Sequence, residues 1–271
     1  MKKVSDIVPE YLEGLHYRIE NDIHGRGFWT GIRQFDDLTG GWAEGDLIVL
    51  GAHPGMGKTA LSTSFILNFL QKQLPVLFVS CEMGYRQVLE RLLSQHSGVP
   101  LTRITRSQLL PDELNRVKKS ASYLQGSPLY VSDTPSSIDK IVEAGEKQGP
   151  FSLLVVDYLQ IYAGANRTGE VSVVNSTSDT TRALKLAAKV LKCPILIPSQ
   201  LNRNDTKRKD PRPILTDLRD SQQIAADADM VLMLWREEEV EDELQLFLRK
   251  NRHGPIGDLH LKWHKETTLV S

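Results

Sequence analysis

Residues 46–59 read DLIVLGAHPGMGKT and lead into ALSTSFILNFLQKQ, residues 60–73. The first six residues form an apolar run typical of a buried strand, and the last fourteen have helical spacing. Between them, a loop of small residues ends in Lys58 and Thr59, the pattern of a phosphate-binding loop. Small residues let backbone N–H groups curve around phosphates, Lys58 reaches the β and γ oxygens, and Thr59 offers a hydroxyl to magnesium. We therefore predict that the chain binds ATP or another nucleoside triphosphate with Mg²⁺.

The first position of this loop departs from the usual glycine, because it is Ala52. The predicted nucleotide-binding residues are Ala52, His53, Pro54, Gly55, Met56, Gly57, Lys58, Thr59 and Ala60.

Further apolar runs alternate with helical stretches along the chain. Four of them predict buried strands, at Pro75–Ser80, Leu129–Ser132, Ser152–Asp157 and Pro194–Pro198. Strands that are apolar throughout and alternate with helices predict an α/β fold, a mainly parallel sheet with helices on both faces. Near the C-terminus, Met230–Trp235, Glu243–Lys250 and Asp258–Trp263 are strand-like, with a Gly-Pro turn at 253–257, and predict an antiparallel extension.

Three polar residues at predicted strand ends are candidates for hydrolysis of the nucleotide. Asp157 closes the strand LLVVD and could hold Mg²⁺, or it could cap a turn. Glu82 follows VLFVSC and is our candidate base; the alternative is a solvated glutamate at a helix start. Gln200 follows Ser199 and could sense the γ-phosphate, or could be a turn residue.

Composition excludes several classes of protein. The 271 residues carry a net charge of −1 and contain no apolar run long enough to cross a bilayer, so we expect no membrane partner. The N-terminus has no apolar core after its basic start, which favours a cytoplasmic location over secretion. Two cysteines, Cys81 and Cys193, lie in or beside apolar runs and are expected to pack as reduced thiols.

Taken together, the motifs resemble those of the DnaB-type hexameric replicative helicases, from about Thr30 to the end of the chain. The stretches TGIRQFDDLTGGW and GDLIVLGAHPGMGKTA look like that family's entry into its phosphate loop. SCEM looks like its catalytic-glutamate motif, LVVDYLQ like its magnesium-aspartate strand and SQLNR like its sensor. RKNRHGPIG resembles the KxRxGPxG hairpin that reaches into the neighbouring subunit's active site.

The resemblance implies a RecA-like core that assembles into a homo-hexameric ring, with each nucleotide between two subunits. Lys250 and Arg252 would then stabilise the transferring phosphate in trans; taken bare, they are an exposed basic pair before a turn. Residues 1–29 would form a linker helix and connecting segment that docks on a neighbouring subunit. Residues 30–271 would form the ATPase domain.

The resemblance also implies that DLRDSQQIAADAD, residues 217–229, includes the loop that touches single-stranded DNA. Our nucleic-acid candidates are Arg203, Arg219, Asp220 and Gln222, with a salt bridge to a nearby aspartate as the alternative for Arg219. Three positions depart from the family pattern: His53 replaces a common arginine, Asp220 a glutamate and Gln222 a glycine. Glutamine resists backbone conformations that glycine permits, so the DNA contacts need not match the family's.

The leading hypothesis is an ATP-driven motor that translocates on single-stranded DNA and separates a duplex, 5′ to 3′ by resemblance. A RecA-like or KaiC-like ATPase without unwinding activity, and a module that uses ATP only to assemble a ring, are the alternatives. Full-length family members carry a helical N-terminal domain that has no counterpart in these residues. Contacts with a helicase loader and a primase are therefore expectations that depend on that domain.

Overall fold

The structure, a computed structural model, describes residues 3–20, 27–133, 137–157, 177–201, 210–218, 224, 226–237 and 240–271. The helices are α1 (Val4–Glu20), α2 (Arg33–Thr39), α3 (Lys58–Gln71), α4 (Tyr85–Ser97), α5 (Leu101–Thr105), α6 (Pro111–Gln125), α7 (Ile138–Gln148) and α8 (Thr177–Leu191). The strands are β1 (Leu47–Ala52), β2 (Val76–Ser80), β3 (Leu129–Ser132), β4 (Leu153–Asp157), β5 (Ile195–Gln200), β6 (Met230–Trp235), β7 (Glu243–Asn251), β8 (Gly257–His264) and β9 (Leu269–Val270). None of the helices in these ranges is long and apolar enough to span a bilayer.

The strands form one sheet in the order β3-β2-β4-β5-β1-β6-β7-β8-β9. The six strands from β3 to β6 are parallel, and β7, β8 and β9 are antiparallel to their neighbours. The predicted α/β class, with a parallel sheet and an antiparallel C-terminal extension, is confirmed. Because all six parallel strands end at one edge, the loops that follow them meet there.

One part of the strand prediction is wrong. Met230–Trp235 was expected to belong to the antiparallel extension, but β6 pairs parallel with β1, with Ile48 opposite Met230. The reason is visible in its sequence, MVLMLW, which is apolar throughout and buried on both faces, as interior parallel strands are. The antiparallel part begins only at β7, whose turn into β8 lies at the expected Gly-Pro site.

Alternate residues of β1 pack into two cores, one on each face of the sheet. Ile48 and Leu50 face the cluster that contains Phe65 of α3. Leu47 and Val49 face the other cluster, which contains Leu184 of α8. This double cover fixes β1, and with it the loop that follows, from both sides.

The two thiols are protected from ionisation. Cys193 is fully buried ahead of β5, and burial raises its pKa to about 12. Cys81 follows β2, and burial together with the negative charge of Asp157 raises its pKa to about 11. Both side chains are protonated at neutral pH, which favours the packing role over a reactive one.

Candidate functional site

The loop between β1 and α3 has the geometry that phosphate binding requires. Gly55 and Gly57 have φ angles of 78° and 100°, in the left-handed region that favours glycine. Gly57 directly precedes α3 and, having no side chain, leaves the first amides of the helix open to a ligand. Lys58 folds back, and its Nζ donates to the Ala52 carbonyl at 3.0 Å. The amides and the ammonium therefore face one concave surface suited to an anion.

Thr59 and Asp157 meet at the edge of the sheet. The Thr59 hydroxyl donates to Asp157 Oδ2 at 3.1 Å, joining the start of α3 to the end of β4. Asp157 is only 1% exposed. Burial raises its pKa to about 6; the negative charge of Glu82 adds to this rise, while the Thr59 hydrogen bond and the Lys58 charge oppose it.

This pair fits a magnesium ion. Mg²⁺ prefers a hydroxyl and a carboxylate together with phosphate oxygens and water as its ligands. A bound cation would also offset the unfavourable burial of the Asp157 charge beside Glu82. Thr59 and Asp157 are therefore the residues that would hold it.

Glu82 lies at the same edge, just beyond β2. Ser80 shapes the turn, because its hydroxyl donates to the Met83 carbonyl at 2.7 Å and accepts from the Met83 amide at 3.2 Å. Glu82 is exposed within this turn and lines the cavity above the phosphate loop. Burial lowers the pKa of Lys58, and the carboxylates of Asp157 and Glu82 raise it in part, so Glu82 is electrostatically coupled to the phosphate-binding cation.

The cavity at this edge has a volume of about 330 Å³. It is lined by Pro54, Gly55, Gly57, Lys58, Thr59, Ala60, Glu82, Arg91, Gln200, Trp263 and Thr268. Gln200 reaches it because the end of β5 lies beside Ala52 at the end of β1. The predicted phosphate loop, Glu82, Asp157 and Gln200 are thus brought together.

Sequence reasoning missed several residues around this cavity. Arg91, on α4, lines it and partly offsets the raised pKa of Asp157. Trp263 at the end of β8 lies beneath Gly57, where an added Cβ would be 3.6 Å from its ring. The Arg236 guanidinium lies 5.3 Å from the centre of that ring and donates to the Gly55 carbonyl at 3.4 Å. The sequence carries no local signal for these residues, because long connections bring them to the loop.

Lys250 and Arg252 lie at the other end of the sheet. The end of β7 pairs with the beginning of β6, with Asn251 opposite Met230, whereas the phosphate loop follows the end of β1. The six residues of β1 span about 20 Å at roughly 3.3 Å per residue. Within one chain, these two cations therefore do not reach the chain's own cavity.

A comparison with known protein families matches residues 27–271 to the model described as "DnaB-like helicase C terminal domain". The chain belongs to the DnaB-like helicase C-terminal domain family. The match covers all of the cavity residues and the Lys250–Arg252 hairpin.

Curated relatives in this family are replicative helicases. The chain is 34% identical over 260 residues to "Replicative DNA helicase DnaB" of Mycoplasma genitalium, covering 89% of this chain and 55% of that protein. It is 29% identical over 276 residues to the protein of the same name from Geobacillus stearothermophilus, covering 98% of this chain and 61% of that protein. The chain thus spans about three-fifths of the length of such DnaB relatives.

Solved structures of DnaB-like proteins have the same fold. The "ATPase Domain of G40P" superposes with a TM-score of 0.85 and 25% identity, covering 97% of both chains. A DnaB-like replicative helicase, solved in a study of its interactions with primase, gives a TM-score of 0.83 and 26% identity over 96% of this chain and 65% of that one. The RecA-like core implied by the family resemblance is confirmed by these DnaB-like neighbours.

The nucleic-acid candidates Arg203, Arg219, Asp220 and Gln222 lie outside the described residues. Around them, the structure describes residues 210–218, 224 and 226–237. These four residues therefore stay predictions.

Proposed function

We propose that this chain is the ATP-hydrolysing motor domain of a replicative DNA helicase, which translocates on single-stranded DNA and separates a duplex. The observation that carries the proposal is the meeting of Lys58, Thr59, Glu82 and Asp157 at one sheet edge. These residues supply the parts that phosphoryl transfer to water needs: an anion cradle, a magnesium site and a base.

Each residue of the cavity has a distinct role in the proposed reaction. The loop amides and Lys58 bind the β- and γ-phosphates and hold the γ-phosphorus in place. Thr59 and Asp157 would hold Mg²⁺, which would supply positive charge to the phosphate oxygens. Glu82 accepts a proton from water as the water oxygen attacks the γ-phosphorus. The bond from that phosphorus to the β–γ bridging oxygen breaks, and ADP and phosphate leave.

Gln200 is proposed to sense whether the γ-phosphate is present. It lines the cavity at the end of β5, three residues before the nucleic-acid candidate Arg203. An amide that hydrogen-bonds the γ-phosphate before hydrolysis loses that partner afterwards, which changes the position of the strand end. Arg91, Arg236 and Trp263 are further proposed contacts around the nucleotide.

Among the described residues, the arginine that lines the cavity is Arg91, which belongs to the chain's own α4. A further cation from outside the chain would add to the stabilisation of charge on the transferring phosphate. Lys250 and Arg252 are suited to that role in a neighbouring subunit, because they project from the opposite end of the sheet. A cation supplied in trans accelerates related phosphoryl transfers by about 10³–10⁵-fold. We therefore propose a homo-hexameric ring in which each nucleotide lies between two subunits.

The N-terminal helix supports association of this kind. Along α1, the side chains of Val4, Ile7, Val8, Tyr11, Leu12 and Ile19 are between 44% and 73% exposed. An apolar stripe of this length on one helix marks an interaction surface. We propose that residues 1–29 are the linker that docks on an adjacent subunit, and that residues 30–271 are the motor.

DNA and protein partners complete the proposal. The proposed ring would have a central channel for single-stranded DNA. Its phosphates would be contacted, without regard to sequence, by Arg203, Arg219, Asp220 and Gln222. A primase and a helicase loader are proposed partners of the longer protein, since a DnaB-like neighbour was solved in a study of its interactions with primase. Travel from 5′ to 3′ is part of the same proposal.

Steady-state ATPase measured with and without single-stranded DNA tests the motor. We expect DNA to stimulate turnover, forked DNA to be unwound and mass photometry with nucleotide to reveal a six-subunit species. Stimulation without unwinding would favour a RecA-like or KaiC-like ATPase. Rings that form with ATP but show no turnover would favour the assembly module.

A further inference from the structure

Asp229 lies at the amino end of the sheet, immediately before β6, and is almost completely buried. Its Oδ2 accepts from the Leu47 amide at 2.8 Å and from Lys185 Nζ at 2.5 Å. Its Oδ1 accepts from Arg252 Nη1 at 3.0 Å. One carboxylate therefore joins β1, α8 and the end of β7.

The backbone of Asp229 holds the same arginine. The Arg252 amide donates to the Asp229 carbonyl at 2.8 Å, so both the main chain and the side chain of Arg252 are attached to one residue. The Arg252 side chain is nevertheless 48% exposed. A guanidinium has five N–H donors, so one held in this way still offers donors to a group outside the chain.

The remaining contacts of the basic pair lead to the residues just before Asp229. Arg252 Nη2 donates to the Ala226 carbonyl at 2.9 Å. Lys250 Nζ donates to the Ala228 carbonyl at 2.6 Å and to the Ala226 carbonyl at 3.3 Å. Burial and the neighbouring positive charge of Arg252 lower the pKa of Lys250, which reflects how closely the two cations are packed here. The pair thus rests on the short segment 226–229.

That segment begins three residues after 217–223, the proposed DNA-contacting loop. A displacement of the Ala226 and Ala228 carbonyls also moves the donors attached to them. Misplacement of a catalytic group by about 1 Å can cost roughly 100-fold in rate. Small movements of 226–229 are therefore large enough to matter at the neighbour's phosphate.

We propose that Asp229 is the positioning residue for the Lys250–Arg252 pair, which it holds against segment 226–229. This inference rests on the proposed trans-acting role of the pair. Asp229 touches neither nucleotide nor DNA. It fixes the direction in which Arg252 projects, and the carbonyls of Ala226 and Ala228 hold the two cations in the same place.

A metal site at this position is disfavoured. Asp46, Asp229 and His253 lie close enough to share an ion. The Asp229 carboxylate, however, already faces the Lys185 ammonium and the Arg252 guanidinium, and Asp46 Oδ1 lies 2.9 Å from His253 Nε2. Two fixed cations supply the countercharge that a metal would otherwise provide.

The test uses mixed rings of the full chain, assembled from two variants, with DNA-stimulated ATPase as the readout. Mixing Glu82→Gln with Arg252→Ala comes first, because some interfaces then combine an intact Glu82 site with an intact Arg252. Recovery of activity above that of either variant alone is expected. Without recovery, the trans arrangement and hence the proposed function fail, whatever Asp229 does.

The Asp229→Asn variant is then measured alone and in mixed rings with each of these two variants. An asparagine oxygen still accepts from the Leu47 amide, but the countercharge for Arg252 is lost. We expect DNA-stimulated turnover to fall by about 10- to 100-fold, with the Kd for ATP within about twofold of wild type. Mixing with Glu82→Gln should restore activity, because that variant carries an intact Lys250–Arg252 pair held by an intact Asp229. Mixing with Arg252→Ala should not, because both partners are defective on the same side.

The opposite pattern, with restoration by Arg252→Ala and not by Glu82→Gln, would place Asp229 on the phosphate-loop side through Leu47 and overturn the inference. Failure of both mixtures would indicate a general structural role and also overturn it. If Asp229→Asn does not fold, Asp229→Glu keeps the buried charge one methylene away and should give the same pattern with a smaller loss. Asp258→Asn is the matched control, since it removes the partner of Arg249 on the same hairpin and should behave as wild type.

Discussion

The Thr59 hydroxyl lies 3.1 Å from Asp157 Oδ2, although the two residues are 98 positions apart in the chain. Parallel pairing brings them together, because β1 and β4 flank β5 and all three strands end at the same edge. The hydrogen bond holds in place the two oxygens that are proposed to bind Mg²⁺. It also partly offsets the cost of burying Asp157 beside Glu82.

Asp157→Asn should stabilise the protein while destroying its magnesium site. The folded-state pKa of Asp157 is raised from 3.8 to about 6, so between these values the unfolded chain ionises first and wild type loses stability as the pH rises. In EDTA at pH 8 we expect the variant's free energy of unfolding to be higher by up to about 3 kcal/mol. This gain should disappear as the pH falls towards 4.

Urea unfolding at several pH values measures this difference, and ATP binding with and without Mg²⁺ measures the lost site. Asp37→Asn is the control, because Asp37 is exposed and pairs only with Arg33 at 3.6 Å. A variant less stable than wild type at pH 8 would argue against a destabilising buried charge at Asp157.

Glu82→Gln should bind ATP normally but fail to hydrolyse it. Glutamine keeps the shape and the turn set by Ser80, yet it cannot accept the proton of water. Turnover should fall by about 10²–10⁴-fold, with the Kd for ATP nearly unchanged. Glu90→Gln on α4 removes a carboxylate that pairs with Arg86, outside the cavity lining, and should leave turnover intact. Undiminished ATPase in Glu82→Gln would remove Glu82 from the role of base.

Arg252→Ala subunits mixed with wild type should depress ATPase activity more than in proportion to their share. Each arginine serves one neighbour, so one defective subunit silences one otherwise intact site, and in a ring whose sites fire in turn that silent site also stalls the others. A titration of the variant into wild type, followed by steady-state ATPase, checks this expectation. Arg249→Ala is the control, because Arg249 lies on the same strand but pairs with Asp258. A strictly proportional loss would contradict coupling between the sites, whereas the mixture of Glu82→Gln with Arg252→Ala decides whether the arginine acts in trans.

Gly57→Ala should weaken nucleotide binding. Gly57 has a φ of 100°, which costs a residue with a Cβ about 1–2 kcal/mol, although space for the methyl group exists. A shift of the loop that relieves this strain moves its amides, and we expect about a tenfold loss in ATP affinity by fluorescence titration. Gly126→Ala, at a φ of −89° and with no neighbour nearer than 3.7 Å, should bind ATP as wild type does. Equal ATP affinities for the two variants would contradict the requirement for glycine at position 57.

The sequence was sufficient to predict most of the parallel sheet and the residues that follow its strands. Apolar runs bounded by turns located β1, β2, β4 and β5, and these strand ends gave Asp157, Glu82 and Gln200. It was insufficient for β6, because a strand placed after a long loop gives no indication of its neighbour. The parallel pairing with β1 could have been inferred from the unbroken apolar run MVLMLW.

The residues that sequence reasoning missed share one property: their positions depend on long-range packing. Trp263 reaches the phosphate loop only because β8 is the second strand beyond β6 in the sheet. Asp229 stands in a plain DAD repeat, and its three partners come from β1, α8 and the end of β7. No local pattern encodes such a meeting point.

The phosphate loop and Arg252 lie at opposite ends of the sheet, because the loop follows β1 and Arg252 follows β7. A tilt of the sheet would therefore move both of them. Both cores pack against β1, so we expect the strands to tilt as one body rather than bend. With about 20 Å between the ends, a tilt of roughly 10° about the middle shifts each end by about 2 Å, in opposite directions. In the proposed ring, a subunit that tilts its arginine towards one neighbour would thereby move its own nucleotide relative to the other. Successive sites around an assembly would then fire in order, without any signal passing through a flexible segment.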